Sequence, residues 1–406
     1  MNVLFLSLSD LNSLNQRGIY IDLLREFWKQ GHKLYVIAPT ERRNKKNTCV
    51  LHTDKAMIVK PKILNMQKTG YFEKTLSLLT IEKIFINAIK KYFANIKFDL
   101  ILYTTPPVTF YNVISYVKNR DSASTYLLQK DIFPEGAVDL GALSKNGWKG
   151  LIYKYFRQKE INLLKISDYI GCMSPANVDY IIQHNPEIAP QRVEICPNSI
   201  EVVDKSVDNE MKTQIRKKYD IPLDKKVFVY GGNLGKPQGI SFLIRCLDKA
   251  KDIDNIFFLI IGDGTEYGLL EEYVKKSQQK NLKLMKQIPK EDYDTMVGAC
   301  DVGMIFLDYH FTIPNFPSRL LSYMQAKLPV LAVTDPNTDI GRIITEGEFG
   351  WWCESNEPQN FVNLVNKIMG IDSVSMKNKE FEFLLNNYSV EKAVQTIVSH
   401  FRKDVL

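Results

Sequence analysis

No apolar stretch of this 406-residue chain approaches the roughly 18 to 20 residues that a helix needs to cross a bilayer. Cysteine is sparse. The six, at positions 49, 172, 196, 246, 300 and 353, lie far apart with no CxxC pair. That pattern argues against a zinc knuckle, a redox pair or a disulfide framework, and the expectation is buried, reduced thiols. The five histidines, at 32, 52, 184, 310 and 400, offer no metal-ligand spacing, so no protein-bound metal is expected. The opening MNVLFLSLSDLN lacks the early cations of a secretory signal and reads as a first strand ending in a polar turn, which leads to the expectation of a cytoplasmic protein. The same opening lacks a GxGxxG turn, which speaks against a nicotinamide-dependent dehydrogenase. There is no long internal repeat and no low-complexity tract.

What the chain does have is a regular alternation. The short apolar runs VLFLSL, KLYVIAP, DLILYTT, STYLLQ, DYIGCMS and VEICPN alternate with segments of helical period such as IYIDLLREFWKQG. The second half repeats the scheme with VFVYGG, IFFLIIGDG, LKLMKQ, DVGMIFL, LPVLAV and GWWCE. Strands of that length between amphipathic helices describe a parallel sheet covered on both faces, so each half is expected to be a doubly wound α/β domain. The charged stretch after VEICPNSIE reads as a connector. The expected division is a first domain over 1–205, a second over 206–385, and a terminal helix over 386–406 that packs back toward the first.

The net charge of +7 is unevenly spread, because residues 1–120 hold 19 Lys or Arg against 8 Asp or Glu and so carry +11, leaving −4 for the rest. Such a surface suits an anionic partner, whether phospholipid headgroups, a diphosphate-linked acceptor or nucleic acid; the plainer reading is a solvated face. Segment 68–98 interleaves Phe, Leu, Ile and Tyr with lysines. On a helix this gives either a buried amphipathic element with lysines outward or a face for anionic lipid. Peripheral attachment to the inner face of the plasma membrane is therefore the alternative to a freely cytoplasmic protein.

The stretch VFVYGGNLGKPQG, residues 227–239, breaks from a β-branched run into a loop holding glycines 231, 232, 235 and 239, then enters a helical pattern. Glycines let the backbone turn sharply and present bare N–H groups, which favours a phosphate there; tight strand-to-helix packing is the plainer explanation. The segment FTIPNFPSRLLSYMQAKLPVLAVT offers a second anion site. In it Ser318 is expected to cap a helix starting near Arg319, whose guanidinium can hold a diphosphate. In two parallel α/β domains that face each other, these loops and those at Asp10, Arg17–Gly18 and Asp131–Gly136 fall at the carboxyl ends of strands, around a central cleft.

Together VFVYGGNLGKPQG, IIGDGTE, PSRLLSYMQAKLPVLA and LLQKDIFPEG resemble glycosyltransferase family 4, in the bacterial capsule and O-antigen branch that includes fucosamine-transferase-like enzymes. The resemblance implies a GT-B fold and a metal-independent, retaining hexosyl- or N-acetylhexosaminyltransferase without cofactor. A nucleotide-sugar donor, UDP-linked and N-acetylated, would lie mainly on the C-terminal domain, and a saccharide or lipid-diphosphate-linked acceptor on the N-terminal domain; nucleic acid is not expected. By position, Gly232, Asn233 and Lys236 would face the diphosphate, Gly262, Asp263 and Gly264 the nucleoside, and Asn315, Pro317, Ser318 and Arg319 the phosphates and sugar. Asp10, Arg17 and Gly18 would lie on the acceptor side. The chain departs from the broad family where paired glutamates precede the PV strand, since Pro314 and Ser322 stand there. Asn233 and Gln238 stand where that family has Arg and Lys in the glycine loop.

Glycosyl transfer builds negative charge on the leaving diphosphate and positive charge at the anomeric carbon. Lys236 and Arg319 suit the first. Asp131, with Glu135 beside it, is the candidate catalytic carboxylate, orienting the acceptor rather than abstracting its proton. Closure over the donor is expected, because transfer to water must be suppressed. Two other classes share the pattern: a nucleotide-sugar 2-epimerase, disfavoured by the scattered histidines, and a non-catalytic nucleotide-sugar-binding peripheral membrane protein.

Overall fold

The computed structural model describes residues 1–66 and 69–401; Lys68 of the lysine-rich segment and residues 402–406 of the terminal segment lie outside them. The chain divides into two units, Met1–Glu201 together with the segment from Val390, and Val202–Ser389. The division falls at 201/202 and 389/390.

The first unit is built on an eight-stranded sheet. From one edge the strands are Val193–Ile195, Tyr169–Cys172, Ser124–Gln129, Leu100–Thr104, Asn2–Leu6, Lys33–Ile37, Ala56–Lys60 and Cys49–His52. All pair in parallel except the last, which runs antiparallel to its neighbour in a hairpin. Alternation within each strand feeds both faces: Leu4, Leu6, Ile101 and Tyr103 join one core, Val3, Phe5, Leu100 and Leu102 the other. The helix Tyr71–Tyr92 buries Ile81, Phe85 and Ile89 in the first core, so over that length the buried amphipathic reading holds. The terminal helix Val390–Ser399 places Ala393, Val394, Ile397 and Val398 at helical spacing in the second core, with Leu23, Leu24 and Phe27. Each fully buried aliphatic chain contributes about 1.5–3 kcal/mol.

The second unit has six strands, all parallel, in the order Leu282–Lys286, Ile256–Asp263, Lys226–Asn233, Val302–Phe306, Val330–Thr334, Gly350–Glu354. Both sheets are therefore doubly wound. Chain order reverses between Asn2–Leu6 and Leu100–Thr104 in the first, and between Lys226–Asn233 and Val302–Phe306 in the second. Open sheets of this kind bind ligands outside the carboxyl ends of strands at such a reversal, because the two connections leave in opposite directions and open a crevice.

One group in the second unit is out of balance. Glu380 is fully buried on the helix Val374–Tyr388, and neither carboxyl oxygen has a hydrogen-bond partner. Burial holds its pKa well above the usual carboxylate value, and Lys377 offsets this only in part. The unfolded chain releases this proton near pH 4.5 whereas the folded chain keeps it, so stability falls as pH rises from there toward the folded pKa. Glu380→Gln should raise the melting temperature at pH 8 and change it little at pH 4. An equal effect at both values would contradict the burial argument.

Candidate active site

In the second unit the reversal is closed by Tyr323, on the helix Arg319–Gln325. Its hydroxyl donates to the Met304 carbonyl at 3.0 Å and receives the Gly231 N–H at 3.3 Å, pinning the two diverging strands together. Its ring fits only because Gly303 has no Cβ, since one would lie 2.6 Å from the ring. The helix start is thereby fixed against the glycine loop.

Arg319 follows from that placement. Its guanidinium lies 4.2 Å from the centre of the Tyr230 ring, with Tyr293 and Tyr323 also nearby. Burial pulls its pKa down, but the three tyrosine oxygens more than offset this and it stays charged. Burial in turn pushes Tyr293 up to about 12, so these neighbours are neutral phenols and not counter-ions. Nη1 is inaccessible to solvent and has no hydrogen-bond partner. A stacked aromatic face recovers about 2 kcal/mol of the desolvation of a cation, and Tyr230 offers the guanidinium a side-chain hydrogen bond but no charge. Arg319 is thus a partly desolvated positive charge with no anionic partner among the described residues.

Gly232 is the opening to it. Its φ of +120° is one that side chains rarely adopt, it is exposed, and a Cβ there would lie 3.5 Å from Arg319 Nη2. The rest of the loop is held from within. Gln238 Oε1 accepts from the Asn233 side chain at 2.9 Å and from the Gly235 N–H at 3.2 Å, so the two residues standing at the family's cationic positions clasp each other. Lys236 is exposed at the start of the one-turn helix Lys236–Gln238. Gly262 and Gly264 are required by backbone packing, since a Cβ would lie 2.0 Å from the Gly232 carbonyl oxygen and 2.3 Å from that of Leu234. Asp263 folds its own turn, accepting the Gly264 N–H at 2.9 Å. Asn315 and Pro317 are half-buried, the former with its carbonyl bound by Thr338 Oγ1 at 2.7 Å. Ser318 corrects an expectation: it precedes the helix in a helical conformation and its side chain makes no cap bond. Capping needs an extended backbone at that position, which the turn at Pro317 denies.

In the first unit the reversal holds a cavity of about 370 Å³. Ser7, Ser9, Tyr20, Thr104 and Thr109 give it hydroxyl groups, whereas Leu8, Ile63, Val108, Phe133 and Phe156 make most of the wall apolar. Thr109 Oγ1 is buried there with no hydrogen-bond partner. Such a mixture suits a ligand with both hydroxyls and apolar surface.

Asp131 sits beside this region, close enough to Tyr20 to raise its phenol, itself pushed to about 12 chiefly by burial. The residue is exposed, yet the protein packed around its carboxyl raises the Asp131 pKa, against the pull of Lys130. Lys130 was not among the residues singled out by sequence. Burial lowers it to about 8, and its Nζ donates to the Cys196 carbonyl at 3.0 Å. Glu135 is already engaged, taking the Tyr153 hydroxyl and an ion pair with Lys145 at 3.0 Å. Asp10 is the counter-ion of the buried Lys60. Arg17 lies 3.9 Å from Glu201, which Lys29 and Arg25 hold more tightly, and the Gly18 N–H donates to Asp22 at 3.3 Å. These acceptor-side residues have structural partners. Among the described residues no cluster of His, Cys, Asp and Glu could hold a metal ion, and no helix is long and apolar enough to cross a membrane.

Residues 211–380, within the second unit, match the family model described as glycosyl transferases group 1. The chain is 25% identical over 299 residues to a Pseudomonas aeruginosa protein described as probable glycosyltransferase WbjE, covering 72% of this chain and 71% of that one. It is also 25% identical over 234 residues to WcaI of Escherichia coli, a protein named for colanic acid biosynthesis glycosyl transfer, covering 54% of each chain. Among solved structures, Anabaena HepE in complex with UDP superposes with a TM-score of 0.68 at 14% identity, covering 98% of this chain and 99% of that one. The fold is GT-B, with two Rossmann-like units, and the second unit is similar to glycosyl transferases of group 1 over residues 211–380.

Proposed function

We propose that this chain is a retaining glycosyltransferase of the family 4, fucosamine-transferase-like kind that moves an N-acetylated sugar from a UDP donor to a saccharide or lipid-diphosphate-linked acceptor in bacterial surface-polysaccharide synthesis. The observation that supports it most is Arg319: a half-buried arginine whose Nη1 is shut off from solvent and which has no anionic partner among the described residues, reached past Gly232 at the strand-order reversal of the unit that matches the family model. An incoming diphosphate supplies the missing partner, and charge-assisted bonds to a phosphate strengthen as the leaving group gains charge. Lys236, exposed on the same loop, adds a second cation, so the leaving group is stabilised without a metal ion. UDP is favoured as the nucleotide by the HepE complex.

The acceptor is assigned to the cavity of the first unit, where hydroxyls line one side. Asp131 orients the attacking hydroxyl and stabilises charge at the anomeric carbon, while the departing phosphate takes the proton.

A thermal-shift panel tests the donor. At about 100 times its dissociation constant a ligand adds about 2.7 kcal/mol, which moves a midpoint by about 5 °C or more. UDP and UDP-N-acetylhexosamines should do this, and free sugars should not. No shift with any nucleotide sugar would remove the reading. Release of UDP only after acceptor is added would separate a transferase from a non-catalytic binding protein.

A further inference from the structure

The helix Gly147–Ile166 in the first unit carries an apolar stripe that nothing within that unit covers. Trp148 and Leu151 are each 70% exposed and Tyr155 41%, among the largest exposures of apolar side chains in the described residues. Spaced by three and four residues, they stand one above another on a single face. On the helix Tyr71–Tyr92, Leu79 and Leu76 are exposed as well. The two helices are linked through Lys159 and Glu82 at 3.4 Å, and Leu78 and Phe156 from them line the same cavity. The exposed side chains therefore form a neighbouring group rather than isolated surface residues.

The sequence that carries the stripe has charges of one sign only. From Leu140 to Lys159 the sequence has Lys145, Lys149, Lys154, Arg157 and Lys159 and no acid. Three of these are satisfied at home: Lys145 by Glu135, Arg157 by Glu160 and Lys159 by Glu82. Lys149 and Lys154 have no acidic partner among the described residues; by the helical repeat they flank Trp148 at about 100° on one side and about 120° on the other. Lys149 Nζ lies 6.0 Å from the Trp148 ring centre.

We propose that this stripe is a docking face for an anionic bilayer surface. Tryptophan and tyrosine suit the headgroup level, where one part of the ring is dry and another wet, and flanking lysines reach outward to phosphates along their own aliphatic stems. A second copy of this chain fits less well. A twofold contact would set the same patch against itself and bring Lys149 and Lys154 of each copy toward those of the other. The lysine-rich segment identified by sequence contributes Leu76 and Leu79, but most of its apolar residues lie in the core and the stripe itself is on a different helix. The proposal does not depend on the glycosyltransferase reading.

The test uses the full chain, sedimented with vesicles of equimolar phosphatidylglycerol and phosphatidylcholine and with vesicles of phosphatidylcholine alone. Binding should prefer the anionic vesicles and weaken in high salt. The double variant Trp148→Glu, Leu151→Glu should reduce it by about tenfold or more, with the melting temperature and the UDP-induced shift unchanged, since both residues are exposed. Lys149→Glu with Lys154→Glu should remove the preference for anionic lipid. The proposal is overturned if the wild-type protein fails to bind, or if the first variant binds as well as wild type. Light scattering that shows a dimer dissolved by the same substitutions, with no lipid binding, would assign the face to self-association instead.

Discussion

Replacing Arg319 by alanine is expected to weaken UDP binding about 10- to 100-fold, the equivalent of one charge-assisted hydrogen-bonded contact of about 1.5–3 kcal/mol. Calorimetry should show the loss mainly in the binding enthalpy. The unliganded protein should melt at the same temperature or higher, because the substitution removes a partly desolvated charge that has no anionic partner among the described residues. This pairing separates a ligand-binding cation from a structural one. A merely structural arginine stacked on Tyr230 would lower stability and leave affinity alone. Arg319→Lys should fall between the two, since a lysine keeps the charge but loses the planar fork that engages a diphosphate at two points.

The second large effect is on turnover. Asp131→Asn should lower the transfer rate by about 10²-fold or more while the donor binds as before. Burial raises the Asp131 pKa above its ordinary 3.8 and Lys130 moderates the rise. The working form is the carboxylate. Activity should therefore fall as pH drops through that raised pKa, and the acid limb of the pH profile should disappear in the asparagine variant. Near-normal turnover, or an unchanged acid limb, would take Asp131 out of the site.

The architecture was legible in the sequence because both sheets are parallel and buried on both faces. Runs such as VLFLSL and IFFLIIGDG are apolar throughout, a pattern that a half-exposed sheet would not give. The hairpin Cys49–His52 with Ala56–Lys60 escaped the reading, because its first strand has no fully buried residue and its connection Thr53–Lys55 has no glycine. Arg319 was legible from PSRLLSYM. Its setting was not, since Tyr230 and Tyr293 are distant in sequence and Tyr323, one turn along the same helix, reads alone as an ordinary core aromatic. The same holds for Lys130, whose only local signal is a cation directly after a buried strand. Its lowered pKa arises from burial by other elements, which Cys196, Cys172 and Asp131 oppose. Ser318 shows the opposite failure: a residue of the right type stands at the right position, and the backbone at Pro317 withholds the conformation that capping needs.

In the glycine loop several of the expected site residues also have structural roles. Asn233 was expected to face the diphosphate, yet its side-chain amide is spent on Gln238. Gly262 and Gly264 answer to backbone crowding before any nucleoside. The exposed backbone at Gly232 and the guanidinium behind it stay turned toward an incoming anion.

A structure of the protein with UDP bound tests this directly. The diphosphate should lie against Gly232, with a phosphate oxygen within about 3 Å of an Arg319 guanidinium nitrogen. A diphosphate bound on any other loop, with the Arg319 guanidinium still facing only tyrosines, would contradict the account.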